Sequence, residues 1–308
     1  MNQPQAQFFT NRKVVFLLAT LCCLLWGSAY PAIKSGYEVF NIDADDIPSK
    51  LIFAGYRFLL AGLLLLIFAK VVNRSSLELP KQMYFRVALL GVAQTTLQYT
   101  FFYIGLAYTT GTKGSIMNAT TTFFSVLLAH YLYKNDRLTS NKILGCLIGF
   151  LGVMIVNISS SQFDFSFALL GEGAVILSSF ILASSTIYGK KLSQHIDSVV
   201  LTGYQLSFGG LVLGVVGYLL GGTLSGLTIS ASLLMIYLVL LSSVAFALWT
   251  VLLKYNRVGA VAPFNFLIPV SGTVLSAMFL NENIFVWKNL IALCCVCFGI
   301  WLVNKQGK

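Results

Sequence analysis

Long runs of apolar residues, separated by short polar segments, recur along the whole chain. A helix needs about 20 apolar residues to cross a bilayer, and ten of the runs are close to that length. A membrane barrel would instead show alternating segments of about ten residues. The pattern therefore predicts an all-α integral membrane protein with ten transmembrane helices. The predicted spans are residues 14–33, 51–71, 84–109, 115–132, 142–158, 169–190, 199–220, 233–254, 260–280 and 285–303.

Composition agrees with this class. The 308 residues are 57% apolar and 10% charged, with a mean hydropathy of +0.82. A soluble domain carries roughly 25% charged residues, so most of this chain cannot face water. The six cysteines lie inside apolar runs without the paired spacing of a zinc site, and we expect them to be packing residues rather than metal ligands.

The net charge of +10 is distributed unevenly between the predicted loops. Fifteen of the 20 Lys and Arg residues fall on one side of the membrane, four fall on the other, and Arg57 lies inside the second span. The positive-inside rule then places both termini in the cytoplasm, as an even number of spans requires. We expect a multi-pass protein of a bacterial inner membrane whose partners are lipid and a small molecule, not nucleic acid. The oligomeric state stays open, and a monomer is allowed.

The two halves of the chain resemble one another at a nearly constant spacing. Gly55-Tyr56-Arg57 in the second span recurs as Gly203-Tyr204-Gln205 in the seventh, an offset of 148. Residues Tyr108, Asn118, Leu128, Gly152 and Asn157 recur at an offset of 147 as Tyr255, Asn265, Leu275, Gly299 and Asn304, and Lys34 pairs with Lys190 at an offset of 156. A five-span repeat turns its second copy upside down, so we expect inverted five-helix repeats over residues 14–158 and 166–304. Such repeats are typical of alternating-access transporters.

The sequence lacks the motifs of the common enzyme active sites. The only histidines are His130 and His195, both near span ends or in loops. No HExxH, GxSxG or Walker-type motif occurs, so metalloprotease, serine-hydrolase and ATP-driven chemistry are not expected. We therefore predict a protein that is not an enzyme and needs no cofactor.

Polar and aromatic residues inside the spans mark the candidate site. Unpaired polar groups are costly in hydrocarbon and usually face the interior of the bundle. A single serine is also explained by helix packing, and an aromatic residue by core packing or the interfacial belt. The amides of Gln98, Asn118 and Asn265 need several partners, which favours a wet cavity. The predicted substrate-binding residues are Trp26, Gln98, Tyr99, Phe102, Tyr103, Asn118, Ser179, Phe246, Trp249 and Asn265.

Two charged residues have a gating or structural role in this prediction. Arg57 is the only basic residue well inside a predicted span, where it would contact an anion, form a gate pair, or clamp either backbone carbonyls or the nearby acidic loop. Its repeat partner is Gln205, so its role is not duplicated. Glu172 lies near a span end, and the predicted spans carry no carboxylate at mid-membrane. Obligate proton coupling through such a group is therefore not supported, and Glu172 is the residue that could serve in it.

These residues resemble the EamA-type family of ten-helix drug/metabolite transporters over residues 14–304. The matching stretches are Trp26-Gly27-Ser28 with Lys34, Arg57-Phe58 with Ala61 and Leu63, Tyr108-Thr109, Asn135-Asp136-Arg137-Leu138, Phe150-Leu151-Gly152-Val153, Leu280-Asn281-Glu282 and Phe298-Gly299-Ile300. Two positions depart from the family pattern. Thr122 stands where the family usually has proline, and Ile268 precedes Pro269 where many members carry glutamate.

The resemblance implies export of amino acids, related metabolites or drugs through a cavity lined by spans one, three, four, six, eight and nine. The aromatic and amide residues favour a neutral or zwitterionic substrate with an apolar part, such as an aromatic or other large neutral amino acid. A drug-efflux protein or a metabolite importer is the alternative within transport. A membrane-embedded enzyme or a scaffold is the alternative from another class.

Overall fold

The computed structural model describes residues 3–43, 45–109, 111–157, 167–226, 228–279 and 287–305. These residues form fourteen α-helices and contain no strand, which confirms the all-α prediction for this part of the chain. The helices are α1 Gln3–Thr10, α2 Arg12–Val39, α3 Ile47–Val71, α4 Lys81–Gly91, α5 Gln98–Ala107, α6 Gly111–Asn118, α7 Thr120–Leu132, α8 Ser140–Asn157, α9 Ala174–Ser193, α10 Ser198–Leu219, α11 Ile229–Tyr255, α12 Val258–Val261, α13 Leu267–Phe279 and α14 Trp287–Asn304.

Three irregular segments join some of these helices end to end. A π-helical segment, Val92–Leu97, connects α4 to α5, and a second, Leu169–Gly173, leads into α9. A 3₁₀ segment, Ala262–Phe266, connects α12 to α13. Predicted spans three and nine are therefore interrupted helices rather than straight ones, and span four breaks between α6 and α7.

In the part of the chain that the structure describes, six helical segments are long and apolar enough, by length and composition, to cross a bilayer. They are Arg12–Val39, Ile47–Val71, Leu169–Ser193, Ser198–Leu219, Ile229–Tyr255 and Val258–Leu275. Ser140–Ile155 and Leu290–Asn304 are shorter apolar helices. Ten spans, the inverted repeat and cytoplasmic termini stay predictions. The boundary between the predicted repeats at residues 158–166, and the turn at residues 280–286, lie outside the described residues.

Side-chain caps fix where several helices begin. The Asn11 side chain accepts a hydrogen bond from the backbone N–H of Lys13, and the Asp46 side chain accepts one from Ser49, both at 2.9 Å. Asp197 accepts from the first turn of α10 in the same way. Such caps satisfy N–H groups that have no partner inside the helix. α2 runs six residues past the predicted end of the first span, and α1 was not predicted at all.

Close backbone contact joins α3 to α10, which pack against each other more extensively than any other described pair of helices. A Cβ atom added at Gly210 would lie 2.4 Å from the backbone nitrogen of Leu59, and one added at Gly62 would lie 2.5 Å from the carbonyl oxygen of Gly203. Small residues let helix backbones approach closely, and van der Waals packing then holds helices together in lipid. The recurring Gly-Tyr motif is therefore an interface between the two halves.

This contact predicts opposite outcomes for two glycines one turn apart on α10. We expect Gly210→Ala to lower the thermal stability, because overpacking costs about 1–3 kcal/mol. Gly214→Ala is the matched control, since its Cβ atom would meet only the Cα atom of Gly55 at 3.8 Å. Alanine also has the higher helix propensity, so this variant should be at least as stable as the wild type. Thermal unfolding in detergent checks both, and equal losses would contradict the interface.

The neighbours of the remaining helices follow a regular pattern. α8 packs against α14, just as α3 packs against α10. α2 packs against α11 and α13, and α9 packs against α5 and α7. These helices surround the middle of the bundle, where the candidate site lies.

Candidate functional site

A cavity of about 370 Å³ occupies the centre of the helix bundle. Nine of the ten predicted substrate-binding residues line it. They are Trp26 from α2, Gln98, Tyr99, Phe102 and Tyr103 from α5, Asn118 from α6, Phe246 and Trp249 from α11, and Asn265 from the 3₁₀ segment. Ser179 is the tenth, and it is buried between α9 and the end of α6, where its hydroxyl lies 3.4 Å from the carbonyl oxygens of Met117 and Asn118.

Aromatic rings form one continuous wall of the cavity. The ring of Trp26 makes edge-to-face contacts with Trp249 and Phe246, at centroid distances of 5.2 and 5.4 Å. Phe58, behind the wall, contacts Phe246 at 5.9 Å and Tyr99 at 4.6 Å. Each ring is fixed by its neighbours, because edge-to-face pairs add to the burial of their apolar area. The wall is therefore a preformed surface for a flat apolar group.

Polar atoms without protein partners face the same cavity. Within the described residues, the hydroxyl of Thr121 and the amide oxygen of Asn118 are buried and have no hydrogen-bond partner, and both residues line the cavity. A buried polar atom left unsatisfied costs about 1–3 kcal/mol. A ligand or water in the cavity would remove this cost.

Interrupted helices bring two of the amides to the cavity. Asn118 is the last residue of α6, directly before the break that precedes α7. Asn265, its repeat partner, lies in the 3₁₀ segment before α13. Broken helices expose backbone groups at the sites of many transporters, where they bind substrate.

The charged residues that line the cavity, within the described part of the chain, are Lys34, Arg57 and Lys190. Arg57 is only 3% exposed, and its Nε donates a hydrogen bond of 2.7 Å to the Ser242 hydroxyl. The Lys190 ammonium donates to the carbonyl oxygens of Leu253, at 2.6 Å, and Asn256. Lys34 is exposed. The cavity therefore has a positive electrostatic character.

Gln98 has a structural contact as well as a place in the wall. Its amide nitrogen donates to the Ser178 hydroxyl at 3.1 Å, and that hydroxyl donates to the carbonyl oxygen of Gln98 at 2.9 Å. This reciprocal pair links α5 to α9. The packing interpretation and the cavity interpretation of Gln98 are thus compatible.

Glu172 lies outside the cavity wall. Its carboxylate accepts hydrogen bonds from the Thr109 hydroxyl at 2.7 Å and the backbone N–H of Ala168 at 2.8 Å, and it pairs with Lys113 at 3.4 Å. These contacts tie the segment before α9 to the connection between α5 and α6. The predicted gating or structural role of Glu172 stays a prediction.

Among the cavity residues that the predicted site omits are Lys34, Tyr37 and Lys190. Lys34 and Tyr37 belong to the part of α2 beyond residue 33, where the apolar run ends but the helix continues. With Tyr30, they lie at i, i+4 and i+7, the spacing of one helix face. That periodicity is the signal that extends the site past the end of the apolar run.

A helical membrane bundle around a preformed cavity with an aromatic wall and cationic groups is the architecture of a small-molecule transporter. The chain belongs to the EamA-like transporter family, which it matches over residues 13–158 and 169–305. It is therefore a multi-pass membrane protein, and the family resemblance drawn from its motifs is confirmed.

Individual relatives span nearly the whole chain. An uncharacterized transporter of Archaeoglobus fulgidus is 30% identical over 89% of this chain and 91% of its own length. The uncharacterized transporter YvbV of Bacillus subtilis is 28% identical over 95% and 92%. A protein of Escherichia coli described as a probable amino-acid metabolite efflux pump is 25% identical over 87% of each chain. One solved crystal structure shares the fold, with a TM-score of 0.78 and 16% identity over 95% of this chain and 96% of that one.

Proposed function

We propose that the protein is a secondary transporter that exports small metabolites, such as aromatic or large neutral amino acids, by alternating access. The observation that carries this proposal is the central cavity, whose volume of about 370 Å³ falls within the range typical of small-molecule sites. Its aromatic wall would hold an apolar ring, and its unpartnered polar atoms would bind the polar end of the same molecule.

The pattern of helix contacts supports the inverted repeat. If α2 and α9 are equivalent, the contacts of α2 with α11 and α13 correspond to the contacts of α9 with α5 and α7. The repeat would then exchange α3 with α10, which pack against each other, and likewise α8 with α14. A two-fold axis in the membrane plane would produce this set of contacts. We therefore propose ten spans in two inverted halves, with both termini in the cytoplasm.

The two ends of the cavity differ, as alternating access requires. The Asn256 side chain donates to the carbonyl oxygen of Phe9 at 2.8 Å, so Lys190, which binds Asn256, lies beside the start of α2. Lys34 lies near the end of α2, at the opposite end of the cavity. Lining residues at the Lys190 end, Leu201 and Val258, are at most 1% exposed. Lys34 is exposed, which supports a conformation that is open toward the predicted outer side.

Export of amino-acid metabolites is supported by the printed description of the Escherichia coli relative. Drug efflux is the alternative, and the lysine and arginine residues in the wall make the cavity unfavourable for organic cations. Import uses the same cavity and differs only in the direction of the gradient. Measurements of binding and flux on the same protein therefore separate these alternatives.

Removal of an aromatic ring from the wall tests the site. We expect Trp249→Ala to weaken binding of L-phenylalanine about tenfold or more, because an aromatic side chain buried against a ligand contributes roughly 1.5–3 kcal/mol. Trp301→Ala is the matched control, since Trp301 is an exposed tryptophan on α14 that does not line the cavity. Ligand-induced thermal stabilisation of the purified protein measures both. Equal losses in the two variants would place the binding site elsewhere.

A further inference from the structure

We propose that Arg57 is the carboxylate-binding residue of the cavity, so that the transported molecule carries a carboxylate group next to an apolar ring. This inference rests on the proposed transport function and adds to it the chemical class of the substrate and the residue that selects it. The supporting observations are the burial of Arg57, the contacts that fix its guanidinium group, and its position beside the aromatic wall.

The guanidinium group is buried but opens onto the cavity. Arg57 is 3% exposed and belongs to the lining residues. An arginine stays charged in proteins, and a buried charge is costly unless an opposite charge and hydrogen bonds compensate for it. The Nε of Arg57 donates its hydrogen bond to the hydroxyl of Ser242, which is neutral. A substrate carboxylate would supply the missing negative charge.

Ser242 orients the guanidinium group rather than neutralising it. The Ser242 hydroxyl donates to the carbonyl oxygen of Leu238 at 2.7 Å, so its oxygen accepts from the Nε of Arg57. The hydroxyl is thus fixed on α11, and it holds the guanidinium by one edge. The two terminal nitrogens form the planar fork that binds a carboxylate with two parallel hydrogen bonds.

The aromatic wall begins beside this fork. The guanidinium carbon lies 5.0 Å from the centroid of the Phe58 ring, which contacts both Tyr99 and Phe246. Tyr37 and Tyr99 line the same cavity as Arg57. A molecule with its carboxylate on Arg57 would place a neighbouring ring against the wall.

The second half of the chain does not repeat this site. Gln205, the repeat partner of Arg57, is also buried in the cavity wall, and its amide nitrogen donates to the Thr95 hydroxyl at 3.0 Å. Lys190 is bound to carbonyl oxygens, and Lys34 is exposed at the opposite end of the cavity. Arg57 is therefore the one fully buried cation of the wall among the described residues, which predicts one carboxylate per substrate and one orientation of the substrate in the cavity.

Three ligands that share a phenyl ring test the assignment on the wild-type protein. L-phenylalanine has a carboxylate and an ammonium group, 3-phenylpropionate has only the carboxylate, and phenethylamine has only the ammonium group. We expect 3-phenylpropionate to bind at least tenfold more tightly than phenethylamine, because a paired hydrogen bond between arginine and a carboxylate is stronger than a hydrogen bond between neutral groups. Thermal shift titrations of each ligand give the ratio of affinities.

Substitution of Arg57 should remove this preference. Arg57→Gln introduces the residue type that occupies the equivalent position in the second half of the chain. In this variant we expect the affinities for 3-phenylpropionate and phenethylamine to differ by no more than about twofold. Arg57→Lys keeps the charge but loses the fork, so it should retain part of the preference. Lys134→Gln is the matched control, because it removes an exposed cation that does not line the cavity and should leave the ratio unchanged.

The outcomes separate this inference from the proposed function. Equal binding of 3-phenylpropionate and phenethylamine to the wild type would overturn the role of Arg57 and leave the transporter intact. An unchanged ratio in folded Arg57→Gln would do the same. If Arg57→Gln does not fold, the ratio of the two affinities measured on the wild type still tests the inference. Failure of all three ligands to bind would overturn the aromatic substrate class together with this inference.

Discussion

Lys190→Gln is expected to open the cavity at the Lys190 end and to move the protein away from the conformation described here. The Lys190 ammonium links α9 to the carbonyl oxygens at the end of α11 and lies 5.6 Å from the centroid of the Tyr133 ring, which follows α7. Hydrogen bonds from a charged donor contribute about 1.5–3 kcal/mol. Loss of that amount changes a two-state equilibrium by tenfold or more.

Lys34→Gln is expected to shift the same equilibrium in the opposite direction. The repeat offset of 147 makes Leu106 and Thr109 the counterparts of Leu253 and Asn256. In the opposite conformation, Lys34 would therefore bind the carbonyl oxygens of Leu106 and Thr109 and close its own end. Here Lys34 is exposed, so its replacement weakens only the conformation that is closed at the Lys34 end.

Cysteine accessibility measures both shifts at matched positions. Tyr30 and Thr186 line the cavity one turn before Lys34 and Lys190, respectively. With the native cysteines replaced, Tyr30→Cys and Thr186→Cys report how fast a membrane-impermeant thiol reagent reaches each end. Lys190→Gln should raise labelling at residue 186 and lower it at residue 30, and Lys34→Gln should do the reverse. Changes in the same direction in both variants would mean that the lysines only stabilise the fold.

Asp136→Asn is expected to destabilise the protein by about 3–5 kcal/mol, the cost of breaking a buried ion pair. Asp136 is 2% exposed and pairs with Lys142 at 2.5 Å, and its second carboxylate oxygen accepts from the backbone N–H of Gly259 at 2.8 Å. Lys142 also donates to the carbonyl oxygen of Arg137 at 2.8 Å. The pair therefore joins the turn after α7 to the starts of α8 and α12.

Two control variants distinguish the ion pair from a general effect of charge. Lys134→Gln removes an exposed charge from the same turn and should change the free energy of unfolding by less than about 0.5 kcal/mol. Asp136→Asn combined with Lys142→Met removes both charges and should recover part of the loss, because no buried charge is left unpaired. Unfolding by denaturant in detergent gives these free energies. A double variant less stable than Asp136→Asn alone would contradict the assignment.

The sequence predicts the helical class and most of the cavity wall because both follow from side-chain chemistry along a helix. Apolar runs locate the spans, and the aromatic and amide residues stand out against them. Nine of the ten predicted binding residues line the cavity for this reason. Ser179 differs, since a serine in a helix serves packing and binding equally well, and only its contacts with Met117 and Asn118 separate the two roles.

The ends of the spans and the breaks inside them were harder to predict. The helix α2 continues to Val39 because its last turns pack against protein, although Lys34-Ser35-Gly36 ends the apolar run. The π segment Val92–Leu97 has no proline or other strong sequence signal. The role of a turn residue such as Asp136 is also hard to predict from the sequence. Its sequence position resembles a family motif, but its role depends on Gly259, which is distant in the chain.

Counterflow in proteoliposomes is the most direct test of the central claim that this cavity carries a small molecule across the membrane by alternating access. Vesicles containing the purified protein are loaded with unlabelled L-phenylalanine and diluted into a trace of the labelled compound. We predict transient accumulation of label above its equilibrium level, without a proton gradient or ATP, and a strong reduction of this accumulation in Trp249→Ala but not in Trp301→Ala. Label that enters no faster than in protein-free vesicles, for L-phenylalanine and for 3-phenylpropionate alike, would contradict the account.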